Sequence, residues 1–342
     1  MFKFRSGYTW HLSAIVAMIL GVVAAGPAAA QADVPELKIR ATNSYPADQP
    51  PGKAMDLFAK RVSELSGGKM TVQVFHAGKL YTEDKSIQAV LDGTVEIGMA
   101  SASNHGPFTK VWAAVETPFL LGTKQMFREV VVNGGLGREI RKASEKDGLR
   151  PLFILETGGH RVVGGGKQVK VPADLKQSKI RVAQSPVILE FYRAVGANPV
   201  IVPWGETYLA LANKAVDGLD AALASWPAGK LSEVAKHITT VNWAPLCTVV
   251  DANVKWWNAR TPKQQEILTQ AAREAEEFSM KSEDENELAL RAKLKGEGVT
   301  IYDLTPEERA QWRKVGETIW SKMPGVDQAF IARLNSAAQA VK

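Results

Sequence analysis

The stretch that decides the fold lies near the start of the chain and reads LKIRAT at residues 37–42 and MTVQVF at residues 70–75. The first segment alternates apolar with charged residues, which is the period of a β-strand. Between the two segments, apolar residues recur at helical spacing over 55–65, and Gly67 and Gly68 end that helix. The pattern therefore predicts a strand, a helix and a second strand.

The same alternation of strands and helices continues along the chain. A helix over residues 86–91 and a strand over 95–100 complete a strand, helix, strand, helix, strand order, which usually means parallel strands. A second series follows, with strands predicted at 152–155, 179–182, 199–202 and 218–223 and helices at 186–195 and 206–216. Two successive α/β series predict two lobes with a cleft between them, where small ligands usually bind.

One helix is predicted to be unusually long, covering residues 261–294. Thr261 can cap it, Pro262 suits its first position, and Gln264 completes a capping box. No glycine or proline interrupts the residues that follow. At 1.5 Å per residue the helix would be about 50 Å long, which exceeds the diameter of one lobe, so we expect it to run along both. A second capping box, at 305–308, opens another helix.

The first thirty residues differ from the rest of the chain. Lys3 and Arg5 precede an apolar run over 14–25, and small residues at 28–30 offer a cleavage site. The run is too short to span a bilayer, so residues 1–30 are predicted to be a removable secretory signal that sends the protein to the periplasm. Without Lys3 and Arg5 the formal charge falls from +6 to +4 and is spread over a chain of mixed sign, which argues against nucleic acid as a partner.

The sequence carries none of the common catalytic signatures. Its five histidines lack the spacing of a metal site, and Cys247 is the only cysteine, so no intramolecular disulfide can form. The glycine-rich stretches at 134–137 and 164–166 match neither a dinucleotide fingerprint nor a phosphate loop. We therefore expect no enzymatic activity, no cofactor and no metal.

Nine short motifs occur in one order over nearly all of the chain after the leader. They are His76–Leu80, Ala89–Gly93, Glu96–Gly98, Thr117–Leu120, Val171–Lys176, Lys179–Val182, Val195–Pro199, Glu206–Leu211 and Val216–Gly218. Together they resemble the solute-binding subunits of tripartite ATP-independent periplasmic (TRAP) transporters. The resemblance implies a protein that captures a small organic carboxylate in the periplasm, closes around it by a hinge motion and delivers it to a TRAP membrane permease.

The resemblance also implies the fold class. It is an α/β, two-lobed periplasmic binding protein fold with an interlobe cleft and a long helix that spans both lobes. Lobe I would comprise residues 33–157 and 247–285, and lobe II would comprise residues 158–246 and 286–342.

Two arginines and a tryptophan match positions that hold the ligand in this family. Arg181 lies on the strand at 179–182, and its guanidinium could meet a carboxylate with two parallel hydrogen bonds. The alternation along that strand also allows Arg181 to lie on a solvated face. Arg161 matches a second arginine of the pocket and could otherwise be an ordinary loop residue. Trp204 matches an aromatic residue that packs against the ligand and could otherwise belong to the core.

The chain departs from the family pattern directly after the motif Val216–Gly218. Asp220 matches an acidic residue of the family, but Ala221 stands where many members have a ligand-binding asparagine. That loss, with Trp226 nearby, leads to the hypothesis that the ligand is a monocarboxylate with an apolar or aromatic body. On the first lobe, Thr42, Ser101 and Asn104 fall near strand ends and are predicted to face the cleft.

Three other functions remain open from the residues alone. The chain could be an exported enzyme that acts on a small carboxylate, a binding protein of an ATP-driven importer, or an extracytoplasmic sensor or scaffold subunit.

Overall fold

A computed structural model of the chain describes residues 34–323 and 326–341. The predicted secretory signal lies outside these residues. None of the described helices is both long enough and apolar enough to cross a membrane.

The described residues form ten strands and twelve α-helices, which we number in chain order. The strands are β1 (Leu37–Thr42), β2 (Met70–Phe75), β3 (Ile97–Ser101), β4 (Leu149–Gly165), β5 (Lys179–Val182), β6 (Asn198–Ile201), β7 (Gly218–Ala222), β8 (His237–Thr240), β9 (Pro245–Asn253) and β10 (Thr300–Asp303). The helices are α1 (Pro50–Leu65), α2 (Glu83–Leu91), α3 (Ala102–His105), α4 (Lys124–Phe127), α5 (Gly135–Lys146), α6 (Pro186–Ala194), α7 (Thr207–Ala212), α8 (Ser225–Ala228), α9 (Val254–Asn258), α10 (Pro262–Gly296), α11 (Pro306–Glu317) and α12 (Gln328–Ala340).

The first half of the fold, which we define as β1–β3 with α1 and α2, is the predicted parallel unit. Strand β1 pairs in parallel with β2 on one side and β3 on the other. Helix α1 covers the sheet because Met55, Phe58 and Val62 on one of its faces are fully buried. The strands predicted at 37–42 and 70–75 are confirmed at both ends.

The second half, which we define as β5–β7 with α6 and α7, repeats this arrangement. Strand β5 pairs in parallel with both β6 and β7. Its core includes a stacked aromatic pair, with the rings of Phe191 and Trp243 centred 4.4 Å apart. Beside this sheet, β8 pairs in parallel with β10.

Two long strands connect the halves. Strand β9 pairs antiparallel with β3 of the first half and also with β4. Strand β4 continues past β9 and pairs antiparallel with β7 and β8, so one strand takes part in both sheets. The sequence predicted only four of the residues of β4 and did not predict β9, all of whose residues are buried. A strand buried on both faces lacks the alternation that marks a strand in sequence.

The predicted long helix is confirmed as α10, which begins with the Thr261 and Gln264 capping box. Its first half packs Ile267 and Leu268 into the core of β1–β3. Near its end, Leu294 packs with Trp226 in the core beneath β7. The helix therefore extends along both halves of the fold. The lobe boundaries implied by the resemblance stay a prediction; they fall within β4, β9 and α10.

We predict that Gly164→Ala destabilises the protein. A Cβ atom at Gly164 would lie 2.1 Å from the Trp226 ring, which is fully buried and cannot move aside freely. Overpacking of this kind typically costs about 1–3 kcal/mol of unfolding free energy, measurable by urea denaturation. Gly166→Ala is the matched control, because a Cβ there meets no atom within 4 Å. Equal stability of the two variants would contradict the packing described here.

Candidate ligand-binding site

A cleft opens between the two halves at the carboxyl ends of their parallel strands, which is where open α/β sheets usually bind ligands. Its lining comes from both sides and comprises Ser44, Tyr45, Glu83, Asp84, Ser101, Ser103, Asn104, Arg161, Arg181, Ala183, Gln184, Ile201, Val202, Pro203, Trp204, Asp220, Ala221, Ser225 and Leu246. Six of the eight residues predicted for the ligand site are in this set.

Arg181 is a buried cation in this cleft. Only 5% of the residue is exposed, and its Nε donates to the carbonyl oxygen of Val202 at 2.9 Å, which fixes the orientation of the guanidinium. The guanidinium lies over the ring of Trp204, 5.5 Å from its centre. No carboxylate among the described residues lies within salt-bridge distance of it. Burial accordingly lowers the pKa of Arg181 to about 10.

Arg161, by contrast, is already neutralised. It donates to Asp220 Oδ1 at 2.5 Å and to Glu116 Oε1 at 2.7 Å, and it also contacts the hydroxyl of Ser103. Burial opposes its charge, but the carboxylates of Asp220 and Glu116 outweigh burial and raise the pKa of Arg161. Its Nε is buried at the cleft wall and has no hydrogen-bond partner among the described residues.

Asp220 lies behind the arginine. Its Oδ1 accepts from Arg161, and its Oδ2 accepts from the Tyr192 hydroxyl at 2.9 Å and from the Trp243 indole at 3.0 Å. The sequence predicts that Asp220 contacts the ligand; the structure places it in the cleft lining with both oxygens hydrogen-bonded to the protein, and the ligand contact stays a prediction. These hydrogen bonds orient Arg161.

The first half contributes a polar edge to the cleft. Asn104 donates to the hydroxyl of Ser101 at 3.2 Å, and both residues line the cleft as predicted. The backbone N–H of Ser101 donates to Glu83 Oε1 at 2.8 Å. This edge presents hydrogen-bonding groups opposite Arg181.

The structure places two predicted site residues elsewhere. Thr42 is fully buried, and its hydroxyl donates to the backbone carbonyl of Tyr81 at 3.1 Å, so it secures a strand end and does not line the cleft. Trp226 is also fully buried, and its indole donates to the carbonyl of Ala235 at 2.9 Å. The Trp226 ring packs in the hydrophobic core against Gly164, so it is no part of the cleft wall.

Sequence reasoning missed several residues of the site. Glu83 could have been found, because it opens α2 just after β2 and so lies near the edge where the strands end. Glu116 gave no such signal: it belongs to no motif and follows a short 3₁₀ helix at Lys110–Ala114. Its role depends on Arg161, which is 45 residues away in the chain.

A second buried ion pair supports the polar edge. His105 donates from Nδ1 to the carbonyl of Ser101 at 2.9 Å and from Nε2 to Asp251 Oδ2 at 2.7 Å, so both ring nitrogens face acceptors. Burial opposes the charged ring, but Asp251 outweighs it and raises the pKa of His105. The described residues contain no cluster of three or more histidine, cysteine or carboxylate side chains that could hold a metal ion.

Two α/β halves, joined by crossing strands around a cleft with a buried arginine, define a two-lobed solute-binding protein. The sequence pattern described as bacterial extracellular solute-binding protein, family 7, matches residues 41–325, and the chain belongs to this family. Its resemblance to the TRAP solute-binding proteins is thereby confirmed.

Relatives and solved structures agree with this assignment. The chain is 31% identical to the C4-dicarboxylate-binding periplasmic protein of Vibrio cholerae over 91% of this chain and 93% of the relative. The TRAP solute-binding protein of Sulfurospirillum deleyianum with bound succinate superposes with a TM-score of 0.81 at 28% identity, covering 90% of this chain and all of that one. The sugar acid binding protein of Advenella mimigardefordensis in complex with galactonate superposes with a TM-score of 0.85 at 26% identity. The superposition covers 91% of this chain and all of that one. The predicted fold class is confirmed.

We predict that His105 stabilises the protein most at low pH. A folded-state pKa above the unfolded value of about 6.5 contributes stability that is complete below pH 6.5 and is lost as the pH rises through the folded pKa. The free energy of unfolding of the wild type should therefore exceed that of His105→Gln by the largest margin at acid pH, and the margin should shrink with rising pH. Urea denaturation of both proteins from pH 5 to 9 tests this, and a margin that grows with pH would contradict it.

Proposed function

We propose that the protein binds a small carboxylate in the cleft, with the carboxylate group on Arg181, and delivers it unchanged to a TRAP membrane permease. The observation that carries the proposal is the guanidinium of Arg181, which is buried and oriented but has no carboxylate partner in the part of the chain that the structure describes. Burying a charge is unfavourable unless it is paired, so an anionic ligand completes the site. The unpartnered Nε of Arg161 offers a further donor nearby.

The ligand that we propose is a monocarboxylate with an apolar or aromatic body. The cleft holds one unpaired guanidinium, and Trp204, Ile201 and Leu246 provide apolar surface beside it. Ala221 also faces this space, where many relatives are expected to carry an amide. Trp226, which lies in the core, gives this proposal no support. The named ligands of the relatives, C4-dicarboxylates, succinate and galactonate, are the competing compounds to test.

Closure of the two halves would complete the site. Arg181 comes from the second half and the polar edge of Ser101 and Asn104 from the first, so only a closed cleft brings both to one ligand. A ligand favours closure when it binds the closed form better than the open form, and contacts from both sides supply that difference. The closed protein would then present a changed surface to the permease in the periplasm.

An exported enzyme is the alternative of a different class, and the site argues against it. Among the described residues that line the cleft, Ser103 has a hydroxyl hydrogen-bonded to a carboxylate, 2.5 Å from Glu116. Arg161 donates to both the serine oxygen and Glu116, which weakens Glu116 as a base and engages a lone pair of the serine. Incubation of the protein with bound acid, followed by NMR of the recovered acid, tests the point: a binding protein returns the ligand unchanged.

We predict that Arg181→Ala abolishes carboxylate binding while the empty protein keeps nearly the same melting temperature. Loss of a buried, charge-assisted contact should cost about 3 kcal/mol or more of binding free energy, or more than about 100-fold in affinity. The fold should survive because Arg181 has no carboxylate partner that its removal would leave unpaired.

Calorimetric titration with the acids that raise the melting temperature measures this loss. Arg193→Ala is the matched control, since Arg193 lies on α6 with its side chain 60% exposed and pairs with Glu190 on the same helix. Equal affinity in the wild type and in Arg181→Ala would overturn the proposed function.

A further inference from the structure

Glu83 is a carboxylate in a cleft that is expected to receive another carboxylate. It is the first residue of α2 and is half-buried on the first-half side of the cleft. Its Oε1 accepts from the backbone N–H of Ser101 at 2.8 Å, which holds the side chain in place. Its Oε2 accepts no hydrogen bond from the described residues. One oxygen of a positioned carboxylate is therefore available to a ligand.

Glu83 and Arg181 lie on opposite sides of the same cleft. They are too far apart for a salt bridge, yet Glu83 favours the charged form of Arg181 and offsets part of the effect of its burial. A ligand whose carboxylate binds Arg181 would thus extend between the two residues. The end of the ligand remote from Arg181 meets the polar edge that Glu83, Ser101 and Asn104 form.

We propose that Glu83 selects the ligand by accepting a hydrogen bond from the end opposite its carboxylate, so that this end carries a hydroxyl or ammonium group. The inference rests on the proposed function, since Arg181 must fix the carboxylate end first. An ionised glutamate has only acceptor oxygens, so it can pair with a hydroxyl or an ammonium group but repels a second carboxylate. Asp84, on the same side of the cleft, adds to that repulsion.

The proposal narrows the class of the ligand. A small acid with an apolar middle and a donor at its far end can pack against Trp204 and donate a hydrogen bond to Glu83. A symmetrical dicarboxylate can pair with Arg181, but its second carboxylate finds no donor in Glu83. Hydroxyl and ammonium groups share the donor chemistry that Glu83 requires, and the choice between them is left to the test.

Four acids of the same chain length separate the possibilities: butanoate, 4-hydroxybutanoate, 4-aminobutanoate and succinate. Calorimetric titration of the wild-type protein should give at least tenfold tighter binding of the hydroxy or the amino acid than of butanoate or succinate. The tighter of the two identifies the donor as a hydroxyl or as an ammonium group.

Glu83→Gln is the decisive variant. The glutamine oxygen can still accept from Ser101, so the fold should persist, but the negative charge is lost and an amide donor is gained. Succinate should bind at least tenfold tighter to this variant than to the wild type, and the preference for the donor-bearing acids should fall by a similar factor. Glu190→Gln, on the exposed side of α6, should leave all four affinities unchanged.

Binding that Arg181→Ala abolishes, with a selectivity that Glu83→Gln leaves unchanged, would overturn this inference and leave the proposed function intact. Wild-type protein that prefers succinate would also overturn it. Failure of all four acids to bind would overturn this inference but not the proposed function, which also admits acids with an aromatic body. Binding that Arg181→Ala leaves unchanged would overturn both proposals.

Discussion

The cleft is organised around a buried guanidinium, that of Arg181, which has no carboxylate partner among the described residues. Burial removes most of the hydration of Arg181, and hydrogen bonds to backbone carbonyls such as that of Val202 replace only part of the lost solvation energy. In the function proposed above, an anionic ligand supplies the rest. The lobes, the crossing strands and the cleft hold this guanidinium where, in that proposal, the carboxylate of a small acid binds it.

The second arginine of the cleft, Arg161, differs from Arg181 because it is paired with carboxylates of the protein. Arg161 has contacts from both sides of the cleft, with Ser103 and Glu116 following β3 and Asp220 on β7. A buried ion cluster of this kind adds little net stability, but removal of one member leaves an uncompensated charge. Its contribution is therefore geometric, because it ties elements from both sides of the cleft to one guanidinium. Arg181, by contrast, has no carboxylate partner among the described residues and is the arginine that we propose binds the ligand.

The sequence predicted elements whose patterns are local. Strands β1, β2 and β5 and the capped start of α10 follow from alternation and capping boxes, which need only neighbouring residues. Strand β9 was not predicted, because it is buried on both faces and its sequence therefore lacks the alternation of apolar and polar residues. Arg181 was found through its motif, but no periodicity distinguishes the core position of Trp226 from a cleft position. Glu116 could not be predicted from the sequence, because its contact with Arg161 forms only when segments 45 residues apart in the chain come together.

The balance of charge around the cleft has a kinetic consequence. Two guanidinium groups and four carboxyl groups meet there, those of Arg161, Arg181, Glu83, Asp84, Glu116 and Asp220. Such a set creates no positive funnel that could draw anions in from a distance. The two positive and four negative groups sum to a formal charge of −2, so the cleft itself weakly repels an approaching anion, and salt that screens this charge should speed the association.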